Sequence, residues 1–127
     1  MTKVSEIIVD TLLEAGAKRC WGIVGDTINH FTDAVRRSDL KWVHVRHEEV
    51  GGLAAGGEAY FTGELAVCAG TCGPGTLHFV NGMFESHRNG APVLLIASDV
   101  ARVETGLGLV FRQFLAVKKL TTTYLKS

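Results

Sequence analysis

The chain has 127 residues and sets 13 basic against 13 acidic side chains, a formal net charge of zero. With 46% hydrophobic residues it has enough apolar material for one globular core, and a composition of this kind excludes a disordered chain. A neutral chain also argues against nucleic acid as the main partner, which would want a basic stripe, and a neutral, apolar surface favours association with other surfaces.

The apolar runs are short. Val93-Leu94-Leu95-Ile96-Ala97 is typical, whereas a membrane span needs about 20 residues. Glu6, Asp10 and Glu14 interrupt the first sixteen residues, which does not fit the unbroken apolar stretch of a signal peptide. Three cysteines are few and odd in number, so a reduced, cytoplasmic chain is expected.

In chain order, Val4, Ile7, Ile8, Leu12 and Ala15 share one helical face, with Thr2 or Ser5 available as a cap and Gly16 as the stop. Arg19 to Val24 reads as a strand. Asp26 or Thr27 suits the cap of a helix from Ile28 to Arg37. Trp42 to Val45 is a second strand, with His44 an ordinary strand residue, and His47 to Tyr60 an Ala- and Gly-rich helix. Leu65 to Ala69 is a third strand. Gly73-Pro74-Gly75 opens a helix through about His87, and Pro92 to Ala97 is a fourth strand. Leu107 to Leu120 has helical spacing, but no clear fifth strand follows. Short apolar strands alternating with helices predict an α/β fold: three layers, doubly wound, with a mainly parallel sheet. Trp21 and Trp42 are expected as core or interface anchors.

In such sheets ligands sit outside the carboxyl ends of the strands, which singles out the loops Gly22–Thr27, Arg46–Glu49 and Gly70–Thr76. The third, Gly-Thr-Cys-Gly-Pro-Gly-Thr, is rich enough in glycine to let backbone approach a ligand. It is not a phosphate-binding P-loop, because Thr76-Leu77 stands where Lys-Ser/Thr is required, and no G-x-G-x-x-G occurs in the chain. Glu48 and Glu49 stand at a helix start, where the dipole stabilises carboxylates. Cys68, Cys72, His78 and His87 are spaced too loosely for a structural zinc site, and no metal ligand is expected in this chain. Cys72 as a nucleophile with His78 or His47 as base rests on a lone thiol and distant histidines.

Taken together, Trp21-Gly22-Ile23-Val24-Gly25-Asp26, Arg46-His47-Glu48-Glu49-Val50, Ala54-Ala55-Gly56-Gly57-Glu58-Ala59, Cys72-Gly73-Pro74-Gly75, Asn81-Gly82, His87-Arg88-Asn89 and Pro92-Val93-Leu94 resemble the N-terminal pyrimidine-binding domain of thiamine diphosphate enzymes. Within that superfamily the chain is most similar to pyruvate dehydrogenase (quinone), with pyruvate oxidase next. The resemblance covers about residues 4 to 100. It implies that Glu48 is the catalytic group: a glutamate there hydrogen-bonds N1′ of the aminopyrimidine and so promotes loss of the thiazolium C2 proton before attack on a 2-keto acid such as pyruvate. An apolar surround is expected to help that glutamate hold a proton. Glu49 is expected to point elsewhere. The resemblance further places Gly25, Thr71, Gly73, Pro74, Gly75, His78 and Asn81 in or near the cofactor pocket. Gly51, Gly52 and Gly57, where relatives often carry Ala, imply close helix packing at a dimer interface.

The departures from the family pattern matter as much. The Gly-Asp-Gly motif that grips the diphosphate and Mg²⁺ is missing from the chain, and there is no room for an FAD-binding domain, so Mg²⁺ and FAD are expected only in a full-length enzyme. Residues 1–100 read as the domain core and 101–127 as a divergent C-terminal segment, with a further βα portion expected beyond it. The chain is therefore read as an N-terminal fragment, inactive alone. Its expected partner is a second copy (as dimer or tetramer) or a diphosphate-binding domain, and peripheral membrane association is an option for the whole enzyme. The alternatives are a stand-alone oligomeric binding module, a subunit of a split decarboxylase of the sulfopyruvate decarboxylase kind, or an acetolactate synthase-like enzyme.

Overall fold

The computed structural model describes residues 2–99. The predicted helix 107–120 and the segment 101–127 lie outside the described residues. Helix α1 runs Val4–Glu14, strand β1 Arg19–Gly22, helix α2 Asn29–Arg36 and strand β2 Lys41–His44. Helix α3 follows at Glu48–Thr62, strand β3 at Ala66–Gly70, helices α4 at Pro74–His78 and α5 at Val80–Arg88, and strand β4 at Val93–Ala97. The four strands form one parallel sheet in the order β2-β1-β3-β4.

The sheet has helices on both faces because its central strands bury both of theirs. In β3, Val67 and Ala69 join Val9, Leu12, Phe31 and Val35 of α1 and α2. Ala66 and Cys68, one residue out of phase, join Ala55, Ala59 and Phe79 on the opposite face. The period-2 alternation of strand side chains makes this division. The same dry setting pushes the Cys68 thiol up to about 12, and that of Cys20 higher still, since burial disfavours a thiolate.

Several expected boundaries shift. Strand β1 ends at Gly22, two residues early, because its neighbours leave it there: the Val45 N–H closes on the Gly22 carbonyl, and a Cβ on Gly22 would strike the Ala69 carbonyl oxygen. Neither Thr2 nor Ser5 caps α1. Lys3 is the cap residue, and its backbone N–H donates to Glu6 Oε2 at 2.9 Å. Gly16 does end that helix, at φ +91°. Asp26 and Thr27 form a 3₁₀ turn through Ile28 rather than an α-helical cap, since the Thr27 hydroxyl is engaged across the sheet. The long helix expected after Gly73 is interrupted at Phe79, whose fully buried ring lies against the positions that Cβ atoms on Gly51, Gly52 and Gly70 would occupy.

Helices α3 and α5 cross where Gly52 meets Gly82. A Cβ on Gly82 would collide with the Gly52 carbonyl carbon and lie 2.7 Å from the Gly52 Cα and the Leu53 nitrogen. Gly51 and Gly52 are thus packed inside the domain, against Phe79 and Gly82, so close packing there needs no second chain; Gly57 faces open space.

Candidate functional site

Chain order determines where a crevice opens. From β1 the chain passes through α2 to β2 on one side, then through α3 to β3 on the other. The winding therefore reverses between β1 and β3, the position at which open α/β sheets bind ligands, and the loops after those two strands meet there through Thr27, Thr71 and Cys72.

Five of the residues singled out from the sequence meet there in an unbroken chain of contacts. Gly25 approaches Thr71 so closely that a Cβ on it would lie 2.7 Å from the Thr71 Cβ. A Cβ on Gly75 would lie 2.7 Å from the Thr71 methyl and 3.4 Å from Glu48 Oε1. Glu48 Oε2 in turn lies 3.2 Å from His78 Nδ1. Glu48, at 8% exposure, is buried, while His78 is open to solvent on its far side. The surround of Glu48 is not the purely apolar one expected. Glycine backbone and the Thr71 methyl lie on one side and imidazole on the other, because α4 ends at His78 directly beside the start of α3.

Gly73 and Pro74 shape this junction rather than touch Glu48. Gly73 adopts φ +66°, a left-handed value that favours glycine, and Pro74 occupies the first helical turn, where its missing N–H costs nothing. Asn81 is drawn away from the cluster: its Nδ2 donates to Glu49 Oε1 at 2.6 Å. The two glutamates do diverge as expected, Glu48 toward His78 and Glu49 toward Asn81.

Two features were not legible from motifs. The first is His47, which caps α3 by accepting the Glu49 N–H on Nδ1 at 3.2 Å and sets its ring beside that of His78, with centroids 4.5 Å apart and planes tilted by 32°. The second is a chain of hydroxyls behind Thr71. Ser98 Oγ donates to the Gly70 carbonyl at 3.0 Å, so the 2.7 Å bond between Ser98 and Thr27 has Thr27 as donor. Thr27 has then used its only proton, and its 2.7 Å bond with Thr71 has Thr71 as donor. Thr27 also accepts the Cys72 N–H at 3.0 Å, and Thr76 Oγ1 donates to the Thr71 carbonyl at 2.9 Å. Thr71 is locked by this arrangement, with its methyl toward Gly75.

The looser alternatives find no support in the geometry. Cys68 is buried in the sheet, its Sγ 3.9 Å from Met83 Sδ, so the set Cys68, Cys72, His78 and His87 does not converge. Both histidines considered as a base for Cys72 have other partners. A hollow of about 400 Å³ lined by Lys18, Arg19 and Lys41 lies at the opposite, amino end of the strands, where Lys18 and Arg19 are already paired with Glu64 and Glu58.

Known sequences decide the family. Residues 2–120 match the thiamine pyrophosphate enzyme, N-terminal TPP binding domain. The chain belongs to that family. It is 55% identical over 108 residues to an uncharacterised 42.6 kDa protein of Pseudomonas amyloderamosa, covering 84% of this chain and 27% of that protein. It is 42% identical over 103 residues to a putative thiamine pyrophosphate-containing protein of Bacillus subtilis, covering 80% of this chain and 18% of the relative. It is 41% identical over 88 residues to the pyruvate oxidase of Lactiplantibacillus plantarum, covering 67% of this chain and 15% of the enzyme. Acetolactate synthases are also among its relatives. The chain thus spans about a quarter or less of the relatives it matches. A thiamine pyrophosphate-binding domain of an enzyme family is established on this basis, as is the α/β fold expected for it. Among the described residues no helix is long and apolar enough to cross a membrane.

Proposed function

We propose that this chain holds the aminopyrimidine half of thiamine diphosphate in a pyruvate oxidase- or dehydrogenase-like enzyme, with Glu48 as the group that meets N1′ of the ring. The observation that carries this reading is the division of labour within one carboxylate. Oε2 is engaged by His78, while Oε1 lies on the Gly75 side and takes no hydrogen bond among the described residues. The residues fit the group: a buried carboxylate at a winding reversal, above a floor of glycine backbone and one methyl, suits a flat ring with a basic nitrogen.

Thiamine diphosphate, when bound, supplies the thiazolium ring that stabilises a carbanion. The chain supplies the handling of protons. Glu48 holds or accepts a proton at Oε1. His78 fixes the carboxylate plane, and the Thr71–Thr27–Ser98 hydroxyls keep the floor from shifting. The diphosphate and Mg²⁺ are gripped elsewhere, since the chain contains no Gly-Asp-Gly, and FAD, where used, also lies in another domain. The partner is a second copy or a diphosphate-binding domain. Val50, Leu53, Tyr60 and Phe61 of α3 and Phe84 of α5 are exposed, Phe61 to 87%, and offer it an apolar face.

The test uses the 127-residue chain assembled with a diphosphate-binding partner. Glu48→Gln should nearly abolish proton–deuterium exchange at the thiazolium C2, followed by NMR, with circular dichroism unchanged. Exchange at the wild-type rate would remove Glu48 from the mechanism. The chain alone, given thiamine diphosphate, Mg²⁺ and pyruvate, should release no CO₂. The acetolactate synthases among the relatives favour one second reading, an acetolactate synthase-like enzyme, and acetolactate among the products of the assembled enzyme selects it.

A further inference from the structure

We propose that His47, Glu48 and His78 form a binding site for a borderline divalent cation such as Zn²⁺. Among the described residues these three offer one ligand atom each, all within 4.8 Å of one another. Glu48 Oε2 and His78 Nδ1 are 3.2 Å apart, close to the spacing that two ligands keep around a tetrahedral ion with bonds of about 2.0–2.2 Å. The cation takes the place of the hydrogen that now joins them. Two imidazoles and a carboxylate are a set that zinc accepts while leaving a fourth position open. Mg²⁺ asks for an octahedron of oxygens, so the same set disfavours it.

The parts of the site are held by the fold. Glu48 is buried, His78 ends α4, and the two imidazole rings are already in contact, tilted by 32°. His47 is the ligand that must adjust. Its Nδ1 accepts the Glu49 N–H over 3.2 Å, at the long end for such a bond, and coordination through that nitrogen releases the cap. The cation occupies the carboxylate that the proposed function assigns to the aminopyrimidine, so the two ligands exclude each other. The site itself is defined by these side chains without any cofactor.

The experiment is calorimetric titration of ZnCl₂ into the reduced 127-residue chain carrying Cys72→Ser, since an accessible thiol is a competing ligand and Cys20 and Cys68 are buried. One Zn²⁺ per chain is expected, undisturbed by excess Mg²⁺. His47→Gln, Glu48→Gln and His78→Gln should each weaken binding by at least the about 10–100-fold that loss of an outer-shell partner costs. Co²⁺ in place of Zn²⁺ should give the visible spectrum of nitrogen and oxygen ligation without a thiolate band. Absence of binding, or affinity unchanged in His47→Gln and His78→Gln, would overturn the proposal. If a variant fails to fold, NMR of the Cys72→Ser chain decides the matter: Zn²⁺-induced shifts should centre on the two imidazoles and the Glu49 amide, and shifts centred elsewhere refute the site. No thiamine is present in any arm, so a negative result leaves the proposed function standing.

Discussion

The crossing of α3 and α5 makes a sharp prediction, because the same substitution should act in opposite directions at two glycines. At Gly82 an added Cβ would meet backbone atoms of Gly52 and Leu53, none of which can swing aside as a flexible side chain would. Alanine is the better helix former by about 0.5–1 kcal/mol. Forcing a methyl group into a packed interior costs about 1–3 kcal/mol and more when backbone must move, so the crowding wins. Gly82→Ala should therefore destabilise the chain by about 2 kcal/mol or more. At Gly57, inside α3, nothing lies within 4 Å of the added Cβ, so the helix propensity acts unopposed and Gly57→Ala should stabilise by about 0.5–1 kcal/mol. For a domain of this size 1 kcal/mol moves the melting temperature by about 4–8 °C. Thermal denaturation followed by circular dichroism at 222 nm should thus show Gly82→Ala melting on the order of 10 °C or more below wild type, with Gly57→Ala a few degrees above it. Equal shifts in the two variants, or a stabilised Gly82→Ala, would mean that α3 and α5 do not cross through Gly52 and Gly82.

Three further outcomes follow from the geometry. Thr27→Val removes the junction of three hydrogen bonds and leaves the Cys72 N–H and the Thr71 hydroxyl without their partner; it should cost about 1–3 kcal/mol in urea denaturation, whereas a hydroxyl chain of no structural weight predicts no change. The Glu6 carboxyl is held below its ordinary value by the Lys3 N–H and then by Arg37, and Asp33 by Arg36 and then by Arg37. Both folded-state values are lowered, so their contribution to stability is present above the unfolded values near 4.5 and 3.8 and is lost as pH falls below them; Arg37→Ala should flatten this acid arm in urea midpoints measured against pH, and an unchanged slope would show that the Arg37 pairs carry no weight. Iodoacetamide at mildly alkaline pH should label Cys72 in the native chain and spare Cys20 and Cys68, whose thiols burial holds protonated, with all three labelled in urea; peptide mass spectrometry reads the pattern, and native labelling of Cys68 would contradict a closed sheet.

Much of the fold was legible because its strands announce themselves. Continuous apolar runs such as Ala66 to Ala69 are what a strand buried on both faces requires, and β3 is buried along its whole length. Boundaries were less legible, for reasons that act across the chain. Strand β1 stops where a neighbouring carbonyl crowds Gly22, and the helix after Gly73 breaks where Phe79 needs to reach the glycines of α3. Neither contact leaves a periodic trace. At Gly51 and Gly52 the demand for close approach is legible but its neighbours, Phe79 and Gly82, are not, because a run of small residues does not say which surface meets it.

The site shows the same division more sharply. Glu48 stands out in sequence as a carboxylate after a strand, and the glycines of residues 70–75 as room for a ligand. What the motifs do not contain is the restraint on these groups. His78 reaches Glu48 across thirty positions, and Thr27 reaches Thr71 and Ser98 across 44 and 71. These bonds form because the winding reversal brings the ends of β1, β3 and β4 and the start of α3 to one edge of the sheet. The polarity of the hydroxyl chain is fixed at its far end, by the Gly70 carbonyl, which accepts from Ser98. With its proton committed to Thr27, Thr71 presents a methyl to the crevice and has no hydroxyl proton to offer a ligand. Among the described residues at this corner, Glu48 and the two imidazoles beside it are held side chain to side chain, and their positions depend on how α3 and α4 begin and end.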